Sequence, residues 1–244
     1  SINKKTNLKY NSNFPKVSIN DIARTQLIVL KEMNIKNIYA LIGNSMGGYI
    51  ALTLARYLEN KLTKLISISS AYKSYPTNNA IHAIQRNMII NDPNWNHGNH
   101  PEKDFKGMVN ARKLGLISYF NPDYLNNRWA DPAELESYLD YNAKKFCDFF
   151  APHTYLGCLD TMDSFDVTKY FESEQNSFAK INAITTIISV DSDHLCSQQQ
   201  QQQLLQKLQQ HEVTANLIVV KSIKGHDAFY TDVAIAKGIE AALT

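Results

Sequence analysis

The sequence predicts an α/β fold in which a parallel sheet with helical crossovers is interrupted by a long helical insertion, and three observations support this fold class. Short apolar runs alternate with helical patterns at both ends of the chain. The glycine-rich turn "GNSMG" joins the first of these runs directly to a helical pattern. Over residues 73–178 the sequence changes to aromatic, mostly helical segments broken by turns that contain proline. We therefore predict a core formed by residues 1–72 and 179–244, and an insertion formed by residues 73–178.

The first part of the core is predicted to contain a helix, a strand, a second helix and a second strand. Ser18 and Asp21 form a capping-box pattern, and the apolar residues that follow at helical intervals predict a helix over about residues 19–33. The run "NIYALIG" is too short for a buried helix and is typical of a parallel strand that is covered on both faces. Further along, the sequence predicts a helix over "MGGYIALTLARYL" and a strand over "KLTKLISISSA".

The last part of the core continues the alternation of strands and helices. Two more strands are predicted over "AITTIISVD" and "ANLIVVKSI", separated by a glutamine-rich helix. The run from Gln198 to Gln203 is followed by leucines at helical spacing, and glutamine is a good helix former. We therefore predict a plain surface helix here and not a low-complexity segment.

Composition and charge exclude several classes of function. Of the 244 residues, 44% are hydrophobic and 20% are charged, which is ordinary for a globular protein with a core. The formal net charge is +2 and the basic residues are scattered, so we expect no nucleic-acid partner and no membrane partner. No apolar stretch is long enough to cross a bilayer, and the polar N-terminus lacks a secretory signal. Three cysteines without paired spacing, Cys147, Cys158 and Cys196, favour a reducing cytoplasm.

The "GNSMG" turn places one serine, Ser45, between a predicted strand and a predicted helix. This is the G-x-S-x-G pattern of a nucleophile elbow, in which small residues surround a serine held in a strained turn. Such a turn exposes the serine Oγ above the sheet, and it directs the Met46 N–H to the start of a helix, where negative charge is favoured. The alternative is that these glycines form only a close-packed turn without a chemical role.

A serine hydroxyl needs a base to accept its proton and a carboxylate to orient that base. In α/β-hydrolases these residues follow the serine in the order Asp or Glu, then His. The segment "SVDSDHL" follows a predicted strand and offers Asp191 and Asp193, and "SIKGHDAFY" follows the last strand and offers His226. Both the chain order and the strand-end positions therefore fit a Ser-His-Asp triad, with either aspartate as the acid.

The other histidines are more typical of surface or structural positions. They lie on predicted helices, on insertion loops or beside the candidate acid: His82, His97, His100, His153, His211 and His194. Asp92, His97 and His100 fall close together, but their spacing in a turn is a weak signal for a metal site. We therefore predict no metal ion.

Several segments, taken in order, resemble the homoserine O-acyltransferase family of the α/β-hydrolase superfamily, typified by homoserine O-acetyltransferase. The resemblance runs through nearly the whole chain, and its clearest segments are "FPKVSINDIARTQ", "GNSMGGYIAL", "AIQRNMIINDPNWNHG", "VDSDHL" and "GHDAF". It implies an α/β-hydrolase fold whose residues 73–178 form a helical lid. It begins partway into the family's domain, and the chain does not begin with Met. We therefore expect the N-terminal strands, and the loop with a second oxyanion N–H, to be missing or supplied by another segment or fragment.

The resemblance also implies a role for individual residues. Ser45 would be the acylated nucleophile, His226 the general base and acid, and Asp193 the orienting carboxylate, because the family's acid is the second aspartate of its segment. Three residues would contact homoserine: Arg112, Tyr119 and Asp227. Arg112 is a planar, bidentate clamp that suits an α-carboxylate, and Asp227 suits an α-ammonium group. From the residues alone, Arg112 and Tyr119 would be two lid residues that pack on each other.

The expected function is a ping-pong transfer of an acetyl group to L-homoserine, a step of methionine biosynthesis. Acetyl-CoA, or succinyl-CoA, would be a co-substrate, and no cofactor would be permanently bound. The resemblance also implies a homodimer formed through the lid helices. Two alternatives stay open: a serine esterase or thioesterase that uses the same triad, and a catalytically inactive, truncated homologue.

Overall fold

The computed structural model describes residues 2–99 and 105–244, which form two compact units. The helical unit comprises Ser1–Val17, Tyr75–Ser118 and Asn126–Asp163. The sheet unit comprises Ser18–Ser74, Tyr119–Leu125 and Ser164–Thr244. These bounds differ from the predicted division after residues 72 and 178, because four segments belong to the other unit: 1–17, 73–74, 119–125 and 164–178.

Side-chain and backbone contacts explain the placement of two of these four segments, 164–178 and 1–17. In the segment 164–178, the Phe165 ring stacks on Tyr49 with centroids 4.1 Å apart, and the Val167 N–H donates to the Tyr72 carbonyl. The segment 1–17 is joined to the helical unit at its end, where the Thr161 hydroxyl donates to the Val17 carbonyl at 2.7 Å.

The strands form two sheets. A short antiparallel pair lies in the helical unit, and a four-stranded parallel sheet with the order β3-β4-β5-β6 lies in the sheet unit. The strands are β1 (Ile2–Asn3), β2 (Leu8–Lys9), β3 (Ile38–Asn44), β4 (Leu62–Ile68), β5 (Ile184–Val190) and β6 (Ala215–Val220). The predicted parallel sheet and its four strands are confirmed.

Helices supply the remaining regular structure. They are α1 (Ile19–Glu32), α2 (Met46–Leu58), α3 (Pro76–Ile90), α4 (Lys106–Tyr119), α5 (Pro122–Arg128), α6 (Pro132–Cys147), α7 (Pro152–Asp163), α8 (Glu174–Phe178), α9 (Gln198–Gln210), α10 (Ala228–Thr231) and α11 (Val233–Leu243). Short 3₁₀ turns occupy Asn11–Asn13, Glu59–Lys61, Pro93–Gly98, Val167–Lys169 and Gly225–Asp227. The predicted capping box is confirmed at the start of α1, where the Ser18 hydroxyl accepts from the Asp21 N–H. None of the helices described is long and apolar enough to cross a membrane.

The sheet is buried at its centre and open at one side. β4 and β5 are mostly buried, and Ile66, Ile68 and Ile188 pack with α11 in one apolar cluster. Within the described residues β3 pairs only with β4, and its Tyr39 and Ile42 side chains are 58% and 46% exposed. A parallel strand is normally covered on both faces. The strand that leads to Ser45 therefore lies at an open, partly apolar edge.

The glutamine-rich segment forms the predicted surface helix α9, but one glutamine on its inner face is buried. Gln201 is fully buried, and its side-chain amide donates to the Ser189 hydroxyl at 3.0 Å and to the Cys196 carbonyl at 2.9 Å. Ser197 begins the helix as a capping box with Gln200. Gln201 thus joins α9 to β5 and to the loop that follows β5.

The helical unit has its own core, formed by the buried residues Ile89, Phe105, Met108, Ala111, Tyr155 and Leu159. Gln85 is buried beside this core and donates to the Tyr155 hydroxyl at 2.8 Å and to the Ala111 carbonyl at 2.9 Å. An ionic network joins α3 to α7, in which Asp163 lies 2.5 Å from His82 and 2.9 Å from Arg86. The helices of this unit are therefore joined by both apolar and polar contacts.

Candidate active site

Ser45 lies in a strained turn between β3 and α2. Its backbone has φ 51° and ψ −123°, a conformation that non-glycine residues rarely adopt, and its N–H donates to the Ile68 carbonyl of the neighbouring strand at 2.9 Å. Ser45 occupies the N-cap position of α2, yet its hydroxyl makes no capping bond. That hydroxyl lies instead 2.9 Å from the Nε2 atom of His226.

The turn is tight at two glycines, and only one of them belongs to the G-x-S-x-G motif. A Cβ atom on Gly43 would lie 2.1 Å from the Gly47 carbonyl oxygen, and one on Gly48 would lie 2.4 Å from the Ser70 side chain. On Gly47 the nearest heavy atom, Asn44 Oδ1, would be 4.0 Å away. The crowding expected on both sides of the serine therefore falls on Gly43 and Gly48, and the motif's last glycine has room for a side chain.

His226 is held in a short turn after β6. Gly225, which precedes it, has φ +72°, and a Cβ atom there would lie 2.6 Å from the Asn121 nitrogen and 2.7 Å from the Tyr119 carbonyl oxygen. Only glycine fits this position without strain. The imidazole is buried and makes an edge-to-face contact with Phe229, with centroids 5.4 Å apart. The turn and the rings together fix the orientation of the imidazole.

Asp193 is the carboxylate that faces His226. Its Oδ2 atom lies 2.8 Å from His226 Nδ1, and its Oδ1 atom accepts from the Leu195 and Cys196 N–H groups at 2.9 and 2.8 Å. An ionised carboxylate only accepts hydrogen bonds, so Nδ1 carries the imidazole proton and Nε2 is left to accept from Ser45. The three groups therefore form a continuous chain suited to moving the Ser45 proton.

The pKa of His226 reflects two opposing effects. Burial disfavours the charged imidazolium, while the Asp193 carboxylate next to it, and more weakly Asp227, favour it. The charges outweigh burial, and the pKa of His226 is raised above its usual value. An imidazole with this pKa is a stronger base toward the Ser45 hydroxyl than an ordinary histidine.

Asp191, the other aspartate that the sequence offered, does not face the imidazole. Its Oδ1 atom accepts from the Ser222 N–H at 3.0 Å, in the loop between β6 and His226. Asp191 is exposed, whereas Asp193 is 3% exposed. The geometry thus separates the two candidates by the atoms they contact.

Of the three residues predicted to contact homoserine, two belong to the sheet unit and one belongs to the helical unit. Tyr119 belongs to the sheet unit, with its ring centroid 6.0 Å from that of His226. Asp227 follows His226 directly and contributes to its raised pKa. Arg112 belongs to the helical unit, where its guanidinium lies over the Phe146 ring, 4.3 Å from the centroid. Phe146 is therefore one aromatic partner of Arg112 within the helical unit.

The Met46 N–H belongs to the first turn of α2. The first four N–H groups of a helix have no carbonyl within the helix to bond, and the helix dipole favours negative charge at this end. Met46 is the residue directly after Ser45 and begins the helix. Its N–H is therefore suited to an oxygen that gains negative charge close to the Ser45 Oγ.

Cysteine chemistry and metal binding receive no support from the described residues. Burial raises the pKa of the Cys147 thiol to about 11, and it also raises those of Cys158 and Cys196, so all three remain protonated near neutral pH. Across residues 2–99 and 105–244, no group of three His, Cys, Asp or Glu side chains could hold a metal ion. In the weak metal pattern, Asp92 accepts from the Asn94 and Gly107 N–H groups, and His100 lies outside the described residues.

Sequence reasoning missed the residues that support the loop of Asp193 and the loop of His226. Gln201 holds the Cys196 carbonyl, Asn121 lies 3.1 Å from His194, and Ser192 bonds the histidine loop. Asn121 gave no signal because its partner is distant in the chain, and Gln201 gave none because it looks like the other glutamines of its run. Ser192 had one signal: it lies between the two candidate acids.

Comparisons with known proteins agree with this arrangement. A model of the alpha/beta hydrolase fold family matches residues 3–232. A serine O-succinyltransferase of Stenotrophomonas maltophilia (strain K279a) is 33% identical over 251 residues, covering 95% of this chain and 68% of the relative. A homoserine O-acetyltransferase of Pasteurella multocida (strain Pm70) is 32% identical over 247 residues, covering 96% of this chain and 69% of the relative.

A solved structure extends the likeness to the fold. The crystal structure of homoserine O-acetyltransferase from Bacillus anthracis superposes with a TM-score of 0.91 at 21% identity, covering 100% of this chain and 70% of that one. The family match spans most of the chain, and two relatives exceed 30% identity over more than two thirds of their own length. The chain therefore belongs to the alpha/beta hydrolase fold family and, within it, to the acyltransferase enzymes that include the homoserine O-acetyltransferases and serine O-succinyltransferases.

Proposed function

We propose that this chain transfers an acetyl group from acetyl-CoA to the hydroxyl of L-homoserine through an acyl-Ser45 intermediate, a reaction that serves methionine biosynthesis. The observation that carries the proposal is the hydrogen-bonded chain from Ser45 through His226 to Asp193. The names of the relatives support acyl transfer to a hydroxyl amino acid. We assign the catalytic roles to these three residues, with no permanently bound cofactor.

The first half-reaction acylates the serine. Ser45 Oγ attacks the thioester carbon of acetyl-CoA while its proton passes to Nε2 of His226. The tetrahedral oxyanion is stabilised by the Met46 N–H at the start of α2. The C–S bond then breaks, and His226 returns its proton to the departing CoA sulfur. Acyl-Ser45 and free CoA are the products.

The second half-reaction transfers the acyl group. The hydroxyl of homoserine gives its proton to His226 Nε2 and attacks the acyl-serine carbonyl. The C–O bond to Ser45 breaks, and His226 returns the proton to Ser45 Oγ. Water competes for the same acyl group, but a bound hydroxyl can reach an effective molarity of roughly 10⁵ to 10⁸ M. Binding of the acceptor therefore decides between transfer and hydrolysis.

We assign acceptor binding to Asp227, Tyr119 and Arg112. Asp227 directly follows His226, so a carboxylate for an α-ammonium group lies beside the proposed base. The Tyr119 ring centroid lies 6.0 Å from that of His226, so this side chain is close enough to the proposed base to line an acceptor site. Arg112 carries the planar guanidinium that suits an α-carboxylate. Each assignment is tested by the acceptor KM of the alanine variant, which should rise while the acylation rate of Ser45 changes little.

The test is a product assay with four substrate pairs. Purified chain is incubated with acetyl-CoA or succinyl-CoA and with homoserine or serine, and the O-acyl amino acid and free CoA are quantified by mass spectrometry. We expect O-acetylhomoserine to be the main product, and the Ser45→Ala variant to give none. CoA release that is equal with and without an amino acid, and without any O-acyl product, would refute the transfer reaction.

The second candidate function is hydrolysis by a serine esterase or thioesterase. The triad favours it as much as transfer, because the same three groups activate water toward an acyl-serine. In that case CoA release is independent of the amino acid.

The third candidate is a catalytically inactive homologue, and a fluorophosphonate probe tests it. Failure to label Ser45 in the folded chain would favour inactivity.

We further propose that a strand-forming segment outside residues 1–244 completes the sheet beside β3. The open edge and the exposed Tyr39 and Ile42 support this, since unpaired sheet edges readily pair with another strand. Relatives are longer, with this chain covering 68–69% of two of them.

We also propose a homodimer formed through the helices of residues 73–178, and a reducing cytoplasmic location because the cysteines are free. Light scattering tests both the homodimer and the strand beside β3, because each would change the measured mass. A chain that stays monomeric and does not bind an added strand-forming segment would contradict both proposals.

A further inference from the structure

One serine hydroxyl holds both ends of the loop that carries the histidine. The loop runs from the end of β6 to the turn Gly225–Asp227. The Ser192 hydroxyl donates to the Ser222 carbonyl at the start of the loop and accepts from the Gly225 N–H at its end, at 3.1 Å. Both bonding directions of this hydroxyl are therefore used on one short stretch of backbone.

Neighbouring groups complete the support of the same loop. The Asp191 carboxylate accepts from the Ser222 N–H at 3.0 Å, so both backbone groups of Ser222 are held by consecutive residues. The Ser222 hydroxyl donates to Asp232 at 2.7 Å and accepts from the Lys224 N–H at 3.2 Å. Asp232 in turn caps α11. The loop is thus fixed between the loop after β5 and the start of a helix.

We propose that Ser192 is a positioning residue that sets the distance between His226 and Ser45. Ser192 lies between Asp191 and Asp193 in the chain, so the segment that bonds the histidine loop also carries the carboxylate that orients the imidazole. Gly225, which it holds, is the residue directly before His226. The two loops therefore move as one body, and the distances of 2.8 and 2.9 Å in the triad depend on it.

Loss of the hydroxyl would act on the geometry and not on the chemistry of any reacting group. Without Ser192 Oγ, the Ser222 carbonyl and the Gly225 N–H lose their partner, and the loop can shift. A misplacement of about 1 Å near reacting groups can cost roughly 100-fold in rate. The acyl donor does not need this hydroxyl to bind, so its KM is expected to stay the same.

The inference rests on the proposed function, because it needs Ser45 to be an activated nucleophile. The experiment measures the second-order rate of fluorophosphonate labelling at Ser45, together with kcat and KM for CoA release and the thermal midpoint. Three variants are compared with wild type: Ser192→Ala, Ser192→Thr and Ser197→Ala. Ser197 begins α9 five residues further along, and its loss removes a helix cap without touching the histidine loop. It is therefore the matched control for lost stability.

We expect Ser192→Ala to lower the labelling rate and kcat by about 10- to 100-fold with KM within about twofold. Ser192→Thr, which keeps the hydroxyl, should recover most of the rate. Ser197→Ala should lower the thermal midpoint with little change in rate. If the alanine variant does not fold, Ser192→Cys, which keeps only a weak donor, should show an intermediate loss.

Three results would overturn the proposal: a labelling rate for Ser192→Ala within twofold of wild type, no recovery with Ser192→Thr, or an equal loss of rate in Ser197→Ala. Its failure differs from that of the proposed function. Wild-type chain that is not labelled at Ser45 would refute both. Wild-type chain that is labelled normally, with an unaffected Ser192→Ala variant, would refute the positioning role alone.

Discussion

Replacing Asp193 by Asn tests the proposed role of the triad most directly, because the change removes charge with almost no change in shape. The two N–H groups of Leu195 and Cys196 that now bond Oδ1 can still bond the amide oxygen of Asn. The amide nitrogen must then face His226 Nδ1. A nitrogen donor requires Nδ1 to accept, which places the imidazole proton on Nε2. An Nε2–H group cannot take the Ser45 proton.

The expected loss follows from that change of tautomer. Replacing the buried aspartate of another Ser-His-Asp triad by asparagine, with the geometry intact, lowers kcat by about 10⁴-fold. Such a factor corresponds to about 5.4 kcal/mol in the activation free energy. Because two of the three hydrogen bonds of Asp193 survive, we expect the protein to fold, with a thermal midpoint only a few degrees from wild type.

Asp191→Asn is the matched control, since it removes the same charge two residues away. An amide oxygen at this position still accepts from the Ser222 N–H, and no tautomer depends on it. The assay is the rate of Ser45 labelling by a fluorophosphonate, followed by intact mass, with the thermal midpoint measured in parallel. Labelling of Asp193→Asn within tenfold of wild type, or equal losses in both variants, would refute the reasoning.

Two further predictions concern the elbow and the pH dependence. A methyl group at position 48 must displace Ser70, so Gly48→Ala should lower the free energy of unfolding by about 1–3 kcal/mol. A methyl group at position 47 has room, so Gly47→Ala should change this free energy by less than about 0.5 kcal/mol. Chemical denaturation measures both variants, and equal losses would contradict the predicted difference. The labelling rate should rise with pH through the pKa of His226, which lies above the usual histidine value of 6.5 because Asp193 and Asp227 outweigh burial. Asp227→Asn removes one of these charges and should move the acid limb to lower pH, and a profile that stays in place would contradict this sign.

The sequence predicts the elements of the sheet unit because each has a local signal. The run "NIYALIG" is short and apolar, which is enough to locate strand β3. Helix α1 begins at a capping box, which is enough to locate its start without tertiary information. The order serine, aspartate, histidine placed the candidate triad at the ends of three strands. Parallel strands end at one edge of a sheet, so these residues could be expected to lie together.

The details that sequence could not provide come from contacts between distant residues. Gly48 is crowded by Ser70, which follows a different strand, so the motif alone suggested Gly47 as the tight position. Asp191 and Asp193 both follow β5, and only the fold of the loop decides which carboxylate reaches the imidazole. Gln201 looks like its neighbours in the glutamine run, yet it alone is fully buried.

The positions of the triad residues do not depend on the open edge of β3, because the four described strands support the triad. The Ser45 N–H is bonded to Ile68 of β4, and the Asp191 N–H is bonded to Val220 of β6. Each loop is therefore tied to the strand beside it, on the side away from the open edge of β3. The strand proposed beside β3 should then affect chiefly the stability of the sheet and the supply of a second oxyanion donor; loss of one such donor costs about 10²- to 10³-fold in turnover. A strand-forming segment that pairs with β3 should accordingly raise kcat and the thermal midpoint, while the pH dependence of labelling, set by His226 and its two aspartates, should stay the same.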